Sequence, residues 1–171
     1  SYTNSAPSYA VRFDRIIRAK GMNLKIYGFA KGAFDFLSLW EGQFSNVWIS
    51  ATGLYGTTSP LTAVLNFHVT DSANTEGNTQ SQFSNLMIGN FSGPAIAFQG
   101  STAFSSVIQF SNILIESQPT SNYSNDNVGI IRQDHNVYSI SFANIGITLN
   151  NKTNNFSANI IDLNGGGANI N

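Results

Sequence analysis

The hexapeptide Phe44-Ser45-Asn46-Val47-Trp48-Ile49 is one of five related stretches in this chain of 171 residues. Its last four residues form a tetrad of Asn, an apolar residue, any residue and Ile, which occurs again at residues 23–26, 85–88, 112–115 and 144–147. In four of the five stretches, a Phe stands two residues before the Asn. The asparagines are 23, 39, 27 and 32 residues apart, which is too irregular for propeller blades but natural for solenoid coils with variable loops.

A second track of short apolar segments runs in step with the tetrads. Its members begin at intervals of 30 to 35 residues, at Phe34, Leu65, Ile96, Ile131 and Ile161. Each period therefore contains a strand, a connection, a strand ending in Phe, a bend at the Asn and a third short strand. Asn suits the bend because it tolerates the left-handed backbone region. We expect an internal ladder of hydrogen-bonded amides along the stack, made by Asn23, Asn46, Asn85, Asn112 and Asn144.

These repeats predict an all-β fold, a right-handed single-stranded parallel β-helix of about five coils. The Phe positions and the apolar positions of the tetrad point inward and pile up into rows that form the core. The alternative is an antiparallel β-sandwich, which has a similar composition but gives no reason for one bend to recur in every period. We expect a single domain over residues 1–171 and a fragment of a longer protein. Residues 1–20 form an N-terminal entry segment, 21–163 form the coils, and 164–171 are a flexible end. The stretch 12–20 lacks a lasting 3.6-residue period, which disfavours a helix there, and the entry segment still leaves room for a short N-terminal helix.

The composition excludes several classes of protein. Only 10% of the residues are charged and the net charge is −1, so a nucleic-acid partner is not expected. Asn makes up about one residue in eight, which favours turns and strands. The chain has no Cys, which removes disulfides and thiolate metal sites, and no apolar run approaches the roughly 20 residues that span a bilayer. We expect no cofactor, no metal and no membrane partner.

The Phe-Ser-Asn-apolar-x-Ile bend, in coils of roughly 25 to 40 residues, resembles the right-handed parallel β-helices of the pectate-lyase-like superfamily. The uncharged, Asn- and Ser-rich style is similar to that of bacteriophage tailspikes and receptor-binding appendages. The resemblance covers residues 23 to about 163 and implies a homotrimer in a virion tail or another extracellular location. Lyases, hydrolases, epimerases, autotransporter passengers and non-enzymatic spikes share such coils, so the resemblance is more specific for fold than for function. The chain departs from the family in having few coils.

The third residue of each tetrad is predicted to face outward. Successive coils carry Lys25, Trp48, Met87, Leu114 and Gly146 at this position. Trp48, Met87 and Leu114 therefore form a contiguous apolar stripe, and such a stripe seldom stays in water. We expect it to pack against copies of the same protein around a symmetry axis. The alternative is a loop or terminal segment folded over it.

Loops on a rigid scaffold are the usual place for binding residues. Aromatic rings and fixed amides hold sugars by stacking and hydrogen bonding. The candidate ligand-binding residues are Trp40, Tyr55, Asn122, Tyr123, Asn125 and Asp126. The alternative for the loop residues is a solvated polar surface.

Few acids are available for catalysis. Glycosidic cleavage needs two carboxyl groups roughly 5 to 10 Å apart, and a lyase would combine acids that hold calcium with an Arg base. The candidate catalytic residues are Asp35, Glu41, Arg132 and Asp134. Asp35 and Arg132 belong to a second outward column, polar and small, that also carries Asn66, Ala97 and Asp162. No pair of acids is compelling, and His68 is expected to be a surface or hydrogen-bonded structural residue rather than a base.

The sequence thus favours a non-enzymatic module of a phage tail or host-recognition appendage. It would bind host surface polysaccharide and associate with copies of itself, most simply as a trimer. The first alternative is a polysaccharide lyase or glycoside hydrolase of the tailspike type. The second is a bacterial surface adhesin or autotransporter passenger.

Overall fold

A computed structural model describes residues 9–28, 32–52, 63–69, 77–91, 94–100, 104–117, 131–133, 136–149, 161–163 and 168–170. The elements in these ranges are all β-strands. They are β1 (Tyr9–Ile17), β2 (Lys20–Tyr27), β3 (Gly32–Trp40), β4 (Gln43–Thr52), β5 (Leu65–Val69), β6 (Asn78–Phe91), β7 (Ile96–Gly100), β8 (Phe104–Ser117), β9 (Ile131–Gln133), β10 (Asn136–Leu149), β11 (Ile161–Leu163) and β12 (Ala168–Ile170). Within the described ranges, no helix is long and apolar enough to cross a membrane.

The strands form two ladders within one twelve-stranded sheet. Odd-numbered strands pair in the order β1-β3-β5-β7-β9-β11, and even-numbered strands pair in the order β2-β4-β6-β8-β10-β12. The two ladders join where Trp40 of β3 pairs with Thr79 of β6. Every pairing between the described strands is parallel, so the antiparallel sandwich is wrong.

The register brings equivalent positions of the repeats side by side. Phe44 pairs with Phe83 and Phe83 with Phe110, and the ring centroids of these two pairs are 5.1 and 5.2 Å apart. The rings of Phe36 and Phe67, from the odd-numbered ladder, meet Phe83 edge-on at 5.5 and 5.4 Å. Each such aromatic pair adds about 0.5–1.5 kcal/mol to the burial of its apolar surface. The aromatic rows of the two ladders therefore face each other and form the core, as the alternation of the sequence predicts.

The five tetrad asparagines form the predicted ladder, but on the outside. Each has a left-handed backbone, with φ between 53° and 56°. In every one after Asn23, Nδ2 donates to the Oδ1 of the preceding ladder residue at 3.1 Å. The expectation of an internal ladder is wrong because the inward Phe44 and Val47 are separated by two residues, Ser45 and the left-handed Asn46. The bend interrupts the alternation of the strand, so the Asn side chain is exposed.

A second column of left-handed bends was not predicted. It lies five residues before each ladder Asn, at Arg18, Glu41, Gln80, Val107 and Ser139, with φ between 52° and 62°. These five residues share no chemistry, and none is the Asn or Gly that usually marks such a backbone. The constant distance from the ladder is the signal that could have revealed the column.

The paired strands extend beyond both predicted limits of the coils. β1 lies within the lead-in segment 1–20, and its Val11 and Phe13 pair with Phe34 and Phe36. The described residues of this segment, 9–20, contain strands and no helix, in agreement with the absence of a 3.6-residue period over 12–20. At the other end, β12 pairs with β10 within the segment 164–171, for which a flexible end was expected. The described strands make six successive odd–even pairs, where the sequence predicts about five coils.

The bend at Val107 predicts a stabilising substitution. This residue is β-branched, 46% exposed and held at φ 53°, a conformation that costs a non-glycine residue about 1–2 kcal/mol. We expect Val107→Asn to raise the free energy of unfolding in urea by about 1 kcal/mol, because Asn tolerates this backbone. The matched control is Val11→Asn, at a 39% exposed strand residue outside the left-handed bends, which should not stabilise. Equal effects of the two substitutions would contradict the strain at Val107.

The amide ladder predicts a graded loss of stability. Asn85 makes ladder bonds to both Asn46 and Asn112, whereas Asn23 bonds only to Asn46 within the ladder. Substitution by Gly keeps the left-handed backbone without strain and removes only the amide. At roughly 0.5–1.5 kcal/mol per bond, we expect Asn85→Gly to lower the free energy of unfolding about twice as much as Asn23→Gly. A loss that is the same at both positions would show that the ladder does not stabilise the stack.

Candidate functional site

Asp35, which lies between Phe34 and Phe36 in β3, contacts several polar and titratable side chains of the odd-numbered ladder. Asp35 Oδ1 accepts a hydrogen bond from Asn66 Nδ2 at 3.0 Å and lies 2.7 Å from His68 Nδ1. Asp35 Oδ2 lies 3.7 Å from Arg12 Nε. We call these residues, together with Tyr9, the Asp35 cluster.

The register of the parallel strands builds this cluster. Arg12 of β1 pairs with Asp35 of β3, and Asp35 pairs with Asn66 of β5. His68 stands two residues after Asn66 and therefore lies on the same face of β5. Nδ1 of His68 lies 2.7 Å from Asp35 Oδ1 and 3.1 Å from Asn66 Nδ2, so this ring nitrogen is placed between the carboxylate and the amide. These two contacts hold the orientation of the imidazole.

Asp35 is buried, which corrects the expectation of an exposed outward column. It is 4% exposed, and Asn66 and Ala97 at the equivalent positions of β5 and β7 are also buried. The side chain of Asp35 points away from the core. It is nevertheless buried, because Asn66, His68 and Arg12 surround it. Burial raises the pKa of Tyr9, and the negative charge of Asp35 raises it further. Tyr9 therefore stays neutral at physiological pH.

The four candidate catalytic residues do not meet in one site among the described residues. Glu41 is exposed and binds Arg18, with 2.8 Å between Oε2 and Nε, and this contact raises the pKa of Arg18. Arg132 lies in the same column as Asp35, but three strand spacings away, about 14 Å. Asp134 lies outside the described residues.

The apolar stripe of Trp48, Met87 and Leu114 is present on the even-numbered ladder. Its members pair in register, continuing from Lys25 and on to Gly146. Trp48 is 45% exposed, and Nζ of Lys25 lies 4.0 Å from the centroid of its ring, a cation–π contact. The side chains thus form a continuous column across three neighbouring strands.

Of the candidate ligand-binding residues, the structure describes Trp40. Its ring is 38% exposed, and its Nε1 donates to the carbonyl oxygen of Gly77 at 2.9 Å, which fixes the orientation of the indole. The other candidates lie outside the described residues: Tyr55, Asn122, Tyr123, Asn125 and Asp126.

Sequence reasoning missed the connection between Asp35 and His68. The alternation in Leu65-Asn66-Phe67-His68 places Asn66 and His68 on one face, and its alignment with Phe34-Asp35-Phe36 would have placed Asp35 beside them. The prediction of a hydrogen-bonded structural His68 is consistent with this contact. Tyr9 and Arg12 had no such signal, because β1 precedes the first tetrad.

The Asp35 cluster predicts a large effect of a small substitution. Asp35→Asn preserves the shape but removes the charge that accepts a hydrogen bond from Asn66 and forms ion-pair contacts with His68 and Arg12. We expect it to lower the free energy of unfolding by about 2 kcal/mol at pH 7, since hydrogen bonds of buried charged groups are worth about 1.5–3 kcal/mol. The control is Glu41→Gln, which removes an exposed carboxylate with one partner and should have a much smaller effect. Equal losses in urea unfolding would contradict a special role of the buried carboxylate.

Comparison with protein-family models, with curated proteins and with solved structures finds no match to this chain. The resemblance to tailspike β-helices therefore rests on the bend motif and the composition. The function has to be argued from the geometry of the chain itself.

Proposed function

We propose that the chain is a right-handed parallel β-helix segment of a phage tail or host-recognition appendage, in a virion tail or another extracellular location. Its function would be to bind host surface polysaccharide without cleaving it and to associate with copies of itself. The two parallel ladders support a helical path of the chain. Between two consecutive strands of one ladder, the chain passes through a strand of the other ladder. The right hand follows from the crossover rule for parallel strands.

The observation that carries self-association is the surface stripe in which Trp48 and Leu114 are exposed and Met87, between them, is half-buried. Hydrogen bonds to neighbouring strands hold the backbone of β6 on both sides, so Met87 cannot leave the surface without breaking the ladder. Burial against another copy removes this apolar surface from water at about 25 cal/mol per Å². A rotation axis parallel to the stripe brings the same column of each copy together, and a trimer is the arrangement we propose.

The exposed amides support carbohydrate binding. Next to the Asn ladder, Gln82 Nε2 donates to Gln109 Oε1 at 3.3 Å, so amides from several strands point outward in register. Amides both donate and accept, which suits the hydroxyl groups of sugars. A repeated surface on several copies would bind a polysaccharide multivalently, with an avidity above that of any single contact.

One observation favours the polysaccharide lyase or glycoside hydrolase as a second candidate. A carboxylate that contacts an imidazole, as Asp35 contacts Nδ1 of His68, is an arrangement that can orient a general base. Against this, Glu41, the other candidate acid that the structure describes, binds Arg18 instead of Asp35.

Self-association is tested by sedimentation equilibrium at micromolar concentration. We expect three times the mass of the single chain for the native protein and the mass of one chain for Trp48→Ser, because the substitution removes the largest apolar group of the stripe. The control is Tyr138→Ser, at an equally exposed aromatic residue outside the stripe, which should remain a trimer. A monomeric native protein would rule out the proposed interface.

Carbohydrate binding is tested on an array of capsular and wall polysaccharides, followed by analysis of the bound polymer. We expect retention of at least one polysaccharide with no new reducing ends and no unsaturated products. Products that are lost in Asp35→Asn would establish the enzyme instead. Binding to no polysaccharide at all would reject the proposed function.

A further inference from the structure

A shallow pocket lies at the outer corner of the first two odd-numbered strands. It is lined by Arg15, Ile16, Ile17, Ser38 and Trp40. Arg15 and Ser38 have left-handed backbones, with φ of 54° and 65°, and they stand between register pairs of β1 and β3. Both strands therefore bend at the same level, which produces a concave surface.

One wall of the pocket is flat and apolar. Ile17 pairs with Trp40 in the register of β1 and β3, and both side chains are exposed. The hydrogen bond from Trp40 Nε1 to the carbonyl of Gly77 holds the indole in place before any ligand arrives. A ring that is fixed in advance loses little conformational entropy on binding. Such a wall suits the C–H face of a sugar ring.

The pocket lining also carries a positive charge, on Arg15. Arg12 and Arg18 of the same region contact the acids Asp35 and Glu41, and Nζ of Lys25 lies over the ring of Trp48. Arg15 is thus the basic residue of this region that lines the pocket. The contact of Arg15 Nε with Asp14 Oδ1, at 3.1 Å, joins two exposed neighbours in sequence. An exposed pair of this kind is weak, and a guanidinium has five N–H donors, so Arg15 retains donors for an anionic group.

We propose that this pocket binds a sugar residue that carries an anionic group. Trp40 and Ile17 pack against the sugar ring, the guanidinium of Arg15 pairs with its carboxylate or phosphate, and Ser38 supplies a hydroxyl at the wall. A planar guanidinium can hold either oxyanion through two parallel hydrogen bonds. The inference rests on the proposed function and specifies its ligand as an acidic polysaccharide rather than a neutral one.

Isothermal titration of the full chain with four probes tests the pocket. They are a hexamer of galacturonic acid, the same hexamer fully methyl-esterified, a phosphorylated maltohexaose and unmodified maltohexaose. We expect the hexuronate or the phosphorylated sugar to bind at least tenfold more tightly than its uncharged counterpart, and the better probe identifies the anionic group. Arg15→Gln should weaken binding of that probe about tenfold, the loss of roughly one charge-assisted hydrogen bond.

Matched substitutions separate the pocket from general effects of charge and aromatic surface. Lys20→Gln removes one positive charge from β2 outside the pocket lining, and Trp48→Ala removes the Trp of the stripe. Both should change the affinity less than twofold, while Trp40→Ala should abolish binding. Trp40→Phe keeps an aromatic ring but loses the hydrogen bond to Gly77, so it should bind the probe weakly. Weak binding by this variant would show that the loss in Trp40→Ala is not caused by a folding defect.

Three results would overturn the inference: no binding of either charged probe, equal binding of charged and uncharged probes, or equal effects of Arg15→Gln and Lys20→Gln. If a neutral polysaccharide still binds on the array, the proposed function survives and only its acidic ligand is wrong. If no polysaccharide binds, both are rejected.

Discussion

The in-register stacking of parallel strands is the constraint on which the rest of the molecule depends. Phe44, Phe83 and Phe110 can stack because each strand lies beside the equivalent strand of the next repeat. Since side chains alternate with a period of two, a slip of one residue would turn these rings outward and bring polar side chains into the core. The left-handed bends reinforce the register, because each hydrogen bond of the ladder joins an Asn to the Asn at the same position of the adjacent strand. Core rows and surface columns therefore have the same origin.

This constraint also decides what the outer surface can do. A residue at one position is placed next to the equivalent residue of the neighbouring repeats, so three apolar residues form a stripe and five Asn side chains form a ladder. Opposite charges are placed in register as well, as with Arg12 of β1 beside Asp35 of β3. Asp35 is the most consequential case: its burial among His68, Asn66 and Arg12 gives the carboxylate a structural role, in contrast to the exposed acid that the sequence predicts.

Much of the fold could be predicted from the sequence because the core residues recur in two recognisable sequence patterns. The tetrads located the even-numbered strands from β2 to β10, and the second apolar track located the odd-numbered strands from β3 to β11. β1 was missed because it lies before the first tetrad, and the bend column at Val107 was missed because a β-branched residue gives no sign of a left-handed backbone. The burial of Asp35 could not be predicted, since it depends on residues of β1. Local chemistry reveals a bend only where Asn or Gly occupies it, whereas the packing of neighbouring strands imposes it on any residue.

The basic residues of β1 and β2 have two physical explanations that lead to different expectations. Within the described residues, each of these strands pairs on one side only, and charged side chains on such an edge discourage pairing with other chains. That role requires charge along the edge but no particular partner, so Arg15 and Lys20 would be interchangeable. The geometry distinguishes them: Arg15 lies at a left-handed bend and lines a concave surface beside the fixed ring of Trp40, whereas Lys20 does not line it. Edge protection accounts for the total charge of the first two strands, and the proposed ligand binding would account for the position of one guanidinium within it.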